Sequence, residues 1–272
     1  MKKMSLLYKI TFSAILVAVS TILSRFFAIP LYSIGIPFIK ISLATSVIIF
    51  ASFYLGPVFG CIVGFLEDLL GSLLVQQGGA YNPIYSISVV LGGLMPYFLY
   101  KLFNLIKIEK KFPLTLTISL TLVSTFITVF CFHPSLGYVK SGGTKFEFEL
   151  WLKILLTGVS WVLSILFVIG LFLIKKYAKN LKINKYYNIN VIATSIFLTY
   201  ILFKVPASSL VFFLMAHEAG FIYFLIIFGS RLLTSFLTAF IDLIINIVAL
   251  NVSLRFNFKG SLIPKTYLEV NE

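Results

Sequence analysis

The chain has nine acidic residues, and two of them, Glu67 and Asp68, sit side by side inside an apolar run. An ionisable side chain in that setting is costly, so it lines a cavity or meets a partner. Asp68 follows Gly56, Gly60 and Gly64 at intervals of four, with Gly71 close behind. Such spacing draws a slowly drifting stripe along one helix face, where glycine admits a second helix or a ligand close to the backbone. A helix-packing groove explains the glycines alone; the carboxylate adds a hydrogen-bonding group. Asp68 continues the stripe and is expected to face the interior. Glu67, about 100° round the helix, is expected to pair with a lysine or lie near the interface.

The next segment, Gln76-Gln77-Gly78-Gly79-Ala80-Tyr81-Asn82-Pro83, carries no charge. It is rich in backbone and amide groups, with Tyr81 and Tyr85 as flat stacking surfaces. A small polar molecule could be gripped there; Gly-Gly and Asn-Pro also make ordinary turns. Arg25, Phe26, Phe27, Tyr32 and Lys40 belong to an earlier loop, and Ser230-Arg231 open the last apolar stretch. Cations, aromatics and one carboxylate together suit an anionic ligand with an aromatic ring. The competing reading has Arg25 and Lys40 reaching lipid headgroups within an aromatic belt.

Other features are weaker. Ala14 and Ala18 form an A-x-x-x-A pair, a face for close helix packing. Asp242 and Asn246, one turn apart, are expected to pair with each other or with a neighbouring helix, since no second membrane carboxylate accompanies them as in a coupling-ion site. Cys61 and Cys131 lie in separate apolar runs, and His133 and His217 are isolated. No disulfide framework, metal site or cofactor follows from them. Phosphate-loop, H-E-x-x-H and G-x-S-x-G motifs are missing, which argues against a hydrolase or an autonomous ATPase. No catalytic residue is assigned.

These residues need elements to position them, and composition says which. Hydrophobic residues make up 60% of the 272 and charged ones 11%, with a mean hydropathy of +1.04. Soluble domains carry roughly 25% charged residues, so the solvent here is a bilayer. The net charge of +13 does not imply nucleic acid, because no polar basic stretch is interleaved with base-stacking aromatics. Apolar runs fall near 10–29, 41–75, 84–105, 112–132, 150–174, 188–203 and 209–250. A span needs about 20 residues, so the first run is an uncleaved helix rather than a signal peptide. The second breaks at Gly56-Pro57 into two short helices. The last is interrupted at His217-Glu218 and at Gly229-Ser230, where Ser230 could cap a final span over 230–250. That leaves an outer loop or interfacial helix near 206–229.

Eight spans result. With the N-terminus inside, cytoplasmic segments hold fifteen of the 22 basic residues; Arg25, Lys40, Lys140, Lys145, Lys153 and Lys204 fall outside, and Arg231 lies just within the last span. The positive-inside rule therefore gives N-in, C-in. The expected fold is an all-α, multi-pass helical bundle forming one membrane domain over 1–272, with internal boundaries at 133–149 and 175–188.

Three stretches carry a family likeness: Ala14 to Phe26 (AILVAVSTILSRF), Tyr54 to Gly71 (YLGPVFGCIVGFLEDLLG) and Gly79 to Gly93 (GAYNPIYSISVVLGG), with Ser230-Arg231-Leu232-Leu233 at the last helix. The chain resembles the substrate-binding S component of energy-coupling factor (ECF) vitamin transporters, most closely the folate branch. The likeness covers 10–105 and, more weakly, 189–250. Family members usually have six helices, so 8–106 corresponds to helices one to four, 188–252 to the last two, and 112–177 to an inserted pair. The loop Tyr81-Asn82-Pro83-Ile84 also departs from the aromatic-Pro-Gly of folate members.

The resemblance implies a bacterial cytoplasmic-membrane subunit that captures a vitamin, folate or a related pterin, from outside. A transmembrane coupling protein would dock on the Ala14/Ala18 face, and two cytoplasmic ATPases would supply energy. Arg25 and Arg231 would hold carboxylates, Asp68 would accept hydrogen bonds from an amino-substituted ring, and Tyr81 would stack, with Gly79 and Tyr85 beside it. The alternative is a stand-alone secondary transporter with Asp68, Glu67 or Asp242 carrying a coupling proton. A membrane enzyme or scaffold ranks last, for want of a nucleophile or metal set.

Overall fold

Glycine and proline punctuate the helices. The computed structural model describes residues 5–30, 40–74, 83–105, 120–121, 124–125, 128–129, 132, 138–141, 144–147, 150–177, 188–215 and 221–255. Helix α1 (Leu6–Arg25) starts at Ser5, whose hydroxyl accepts the Tyr8 N–H at 3.2 Å. Helix α2 (Ala44–Leu55) stops at Gly56, whose φ of 110° is a conformation that L side chains rarely adopt. Pro57 then opens α3 (Pro57–Leu74) and Pro83 opens α4 (Pro83–Leu105), positions where a missing N–H costs nothing. Helix α5 covers Leu150–Tyr177. Helix α6 (Ile189–Leu198) continues through a π-helical segment, Thr199–Lys204, into α7 (Val205–Met215), and α8 runs over Phe221–Arg255. Two short antiparallel ladders, β1 (Ile29–Pro30) with β2 (Lys40–Ile41) and β3 (Tyr138–Ser141) with β4 (Thr144–Glu147), are the strands among the described residues.

Among the described residues, five helical stretches are long and apolar enough to cross a membrane: Leu6–Arg25, Pro57–Leu74, Pro83–Leu105, Ile189–Val211 and Thr234–Leu254. Ala44–Leu55 and Ser160–Gly170 are shorter apolar helices. The break at Gly56-Pro57 stands where expected. Most of the expected span 112–132 lies outside the described residues. A correction concerns 206–229: residues 205–215 and 221–229 are helical, and Ser230 lies inside α8 instead of capping a new helix. Glycine in a helix costs only about 1 kcal/mol, whereas an unsatisfied backbone group in hydrocarbon costs several. The apolar helix therefore runs through Gly229-Ser230.

Helices α3 and α4 meet most closely. A Cβ on Gly60 would lie 2.4 Å from the Gly93 carbonyl oxygen, and one on Gly93 would lie 2.3 Å from that of Gly60. The groove expected from the glycine spacing is thus filled by α4. One apolar core joins α1, α2 and α3 around Leu16, Ile48, Tyr54 and Val63. A larger one joins α2, α4, α6 and α8 around Phe53, Tyr100, Phe197 and Phe236, and Phe50 packs on both. Helix α5 touches this bundle through Gly170, where a Cβ would lie 2.7 Å from the Phe240 ring. Its Ser164 bonds to Ser124 at 2.7 Å, and its Trp161 donates to Thr128 at 3.2 Å.

Because the Gly60–Gly93 contact is backbone to backbone, Gly93→Leu should force α3 and α4 apart. The expected loss is at least the roughly 1–3 kcal/mol of ordinary overpacking, read as a lowered Tm in detergent. Gly158→Leu, at a position with open space around its Cβ, should leave Tm unchanged.

Candidate ligand-binding site

Buried positions on α3 are Gly60, Val63, Gly64, Glu67 and Gly71. This line steps by three and four residues, as a 3.6-residue turn requires, whereas a strict step of four drifts about 40° each time. The drift moves Asp68 off the buried line and puts Glu67 on it. Glu67 is 6% exposed and Asp68 is half-buried, a reversal of the expected order.

Asp68 nonetheless faces α4, where its carboxylate accepts the Ser86 hydroxyl at 2.7 Å. Three residues on, a Cβ at Gly71 would lie 2.4 Å from Arg25 Nε and 2.6 Å from its Nη2. Gly71 is therefore the seat of the Arg25 guanidinium, delivered by the last turn of α1. Next to Ser86, Tyr85 interacts electrostatically with Arg231 of α8. Helices α1, α3, α4 and α8 thus meet in pairs here, Arg25 on Gly71, Asp68 with Ser86 and Tyr85 with Arg231. Gly79 and Tyr81 lie outside the described residues. On α1, Ala14 and Ala18 are exposed, together with Ile15, Val19 and Ile22, while Ser13, Leu16, Val17 and Ser20 turn inward.

In a second polar cluster Asp242 and Asn246 pair with a neighbouring helix, as expected, while Ser46, Tyr200 and Lys204 are members the sequence did not single out. Asp242, 1% exposed, accepts hydrogen bonds from Ser46 of α2 and Tyr200 of the π segment. Lys204 donates to Thr45 at 2.7 Å and to the Tyr200 hydroxyl at 3.5 Å, and its charge acts on Asp242. Its ammonium also stands over the Tyr200 ring, 4.6 Å from the centroid. Asn246 does not pair with the Asp242 carboxylate; its Nδ2 donates to the backbone oxygens of Asp242 and Ser46 at 2.8 and 3.2 Å. Lys204, counted above as an outer-side charge, therefore lies inside a candidate span. The available signal was Tyr200 and Lys204 one turn apart within an apolar run.

The two clusters lie along common helix faces. Tyr85 and Gly92 are seven residues apart, about 10 Å and two turns of α4, and a Cβ at Gly92 would lie 3.9 Å from Lys204 Cδ. Arg231 and Asp242 are eleven residues apart, about 16 Å and three turns of α8. Two polar clusters thus lie within the apolar bundle. Among the described residues no group of His, Cys, Asp and Glu could hold a metal ion.

Five apolar helices of this length among the described residues mark a multi-pass membrane protein. The family model for the ECF-type riboflavin transporter, S component, matches residues 4–179, and the chain belongs to that family. No match to a curated protein or to a solved structure was found. Membership makes the chain a transporter component, which is not an enzyme class, and implies an energy-coupling module of coupling and ATPase subunits and a vitamin ligand. It supports the S-component class and not the folate-type branch. Within the stretches that carry the likeness, Gly56, Gly60, Gly71 and Gly93 serve a helix break and close packing here, so they place helices without selecting a ligand.

Tyr200→Phe removes a bond to a buried carboxylate. The expected cost is about 1.5–3 kcal/mol, measured as a lower Tm of the purified chain in detergent, with Ser46→Ala giving a loss of the same kind.

Proposed function

We propose that the chain is the membrane-embedded, high-affinity binding subunit of an ECF importer and that it captures riboflavin or a close flavin. The family match over residues 4–179 carries this reading. A flavin is a flat ring system with carbonyl acceptors, an N–H donor and a polyol, and it needs hydrogen-bonding groups spread along an apolar slot. Arg25, Asp68, Ser86, Tyr85 and Arg231 supply donors and acceptors at one tier. In this reading the loop with Gly79 and Tyr81 covers the ligand from the outer side, N- and C-termini are cytoplasmic, and 112–177 is an addition to a six-helix core. A pterin such as folate is the second reading, favoured by the two guanidinium groups in that tier, which suit carboxylates.

Identifying the small molecule that copurifies and titrating riboflavin and folate by fluorescence separates the two. Riboflavin should bind tightly and folate weakly; the reverse order would establish the pterin reading. Uptake by the chain alone in liposomes under a proton gradient would instead reinstate a secondary transporter.

The exposed Ala14/Ala18 face of α1 is proposed as the docking surface for the coupling protein, since small residues allow close helix approach. The double variant Ala14→Trp, Ala18→Trp should bind ligand as the parent does, within about twofold. In cells supplying the energy-coupling module, it should lose most ligand uptake. Unchanged uptake would place docking elsewhere.

A further inference from the structure

We infer that Lys204 is a specificity residue that donates a hydrogen bond to a carbonyl oxygen on the ligand's fused pyrimidine ring, with Asp242 and Tyr200 as its positioning residues. The inference rests on the reading that this chain binds a vitamin with such a ring, a feature that flavins and pterins share. An ammonium inside a membrane domain is expensive and faces a cavity or a partner. Here the members of its cluster divide by exposure. Asp242, Tyr200 and Ser46 are buried, whereas Thr45 and Lys204 keep accessible surface. Thr45 stands in the first turn of α2, which begins at Ala44, so its bond from Lys204 holds the ammonium at the start of that short helix.

The same groups fix where the charge sits. Tyr200 and Lys204 belong to a π-helical segment, a form that recurs at functional sites because it re-aims side chains. The Tyr200 hydroxyl bonds to Asp242 and receives Lys204 at 3.5 Å, the outer limit of a hydrogen bond. A ligand oxygen can therefore take that donor at little cost, while Asp242 still balances the charge. The stem of Lys204 passes Gly92, about 10 Å below Tyr85 along one face of α4. A fused-ring heterocycle held by Tyr85 and Arg231 at one end would reach the ammonium at the other.

The test is a fluorescence titration of the purified full chain, its Lys204→Met and its Lys204→Arg variants with riboflavin, lumiflavin and folate. Lumiflavin has the flavin ring without the polyol. Lys204→Met should lose about tenfold or more in affinity for riboflavin and lumiflavin alike, or for folate if that is the ligand. Lys204→Arg, which keeps the charge that balances Asp242, should recover part of it. Binding by Lys204→Met within twofold of the parent, or a loss seen with riboflavin and absent with lumiflavin, would overturn the assignment while leaving the function standing. A parent chain that binds none of the three would overturn both. Should Lys204→Met fail to fold, Thr45→Val, which removes the closest partner of the ammonium, is expected to weaken ring binding several-fold, and unchanged binding would overturn the assignment.

Discussion

Gly60 and Gly93 let α3 and α4 meet backbone to backbone, and the polar contacts of the upper tier depend on that approach. Only when the two helix axes are this close does the short Ser86 side chain reach Asp68. Gly71 extends the principle by one more helix, because its missing side chain is the space that the Arg25 guanidinium fills. Membrane helices gain little from apolar burial against one another, since lipid tails are equally apolar. Close backbone packing and polar bonding must therefore do the joining.

The lower cluster shows the cost of that arrangement and how it is met. A carboxylate as buried as Asp242 survives in a bilayer interior only with its oxygens occupied. Ser46, Tyr200 and the charge of Lys204 come from two other parts of the chain to do so. The outcome ties α2, the π segment and α8 together, and those elements share the large apolar core. One network thus serves both the cohesion of the bundle and, in the proposed function, ligand recognition at its floor. The exposed face of α1 belongs to a different economy: it buries serines inward and leaves small and apolar residues outward, the arrangement of a helix that meets lipid or another protein.

Much of the fold could be read along the chain because its determinants are local. Hydropathy runs mark the spans, Gly56-Pro57 marks a break, and Pro83 marks a start. Arg25, Asp68 and Arg231 stood out because charge is scarce in a chain with 11% charged residues, and Tyr85 because it follows the uncharged polar loop. The expected break at Gly229-Ser230 failed for an equally physical reason: in lipid the demand for internal backbone bonds outweighs a weak propensity. The family match supports the S-component class and not the folate branch, and the described glycines serve helix placement, which S components with different ligands can share.

Composition and periodicity alone determined that this is a polytopic helical membrane protein with a polar set near the ends of its helices, since both are properties of contiguous stretches. Tertiary structure alone decided that Glu67 rather than Asp68 is buried, because a 3.6-residue turn drifts off a four-residue stripe and only the neighbouring helices choose where burial falls. It alone also decided that Ser46, Tyr200, Lys204 and Asp242 form one cluster. Those residues are scattered over nearly two hundred positions, and contacts at that separation are set by how whole helices pack, about which no local pattern carries information.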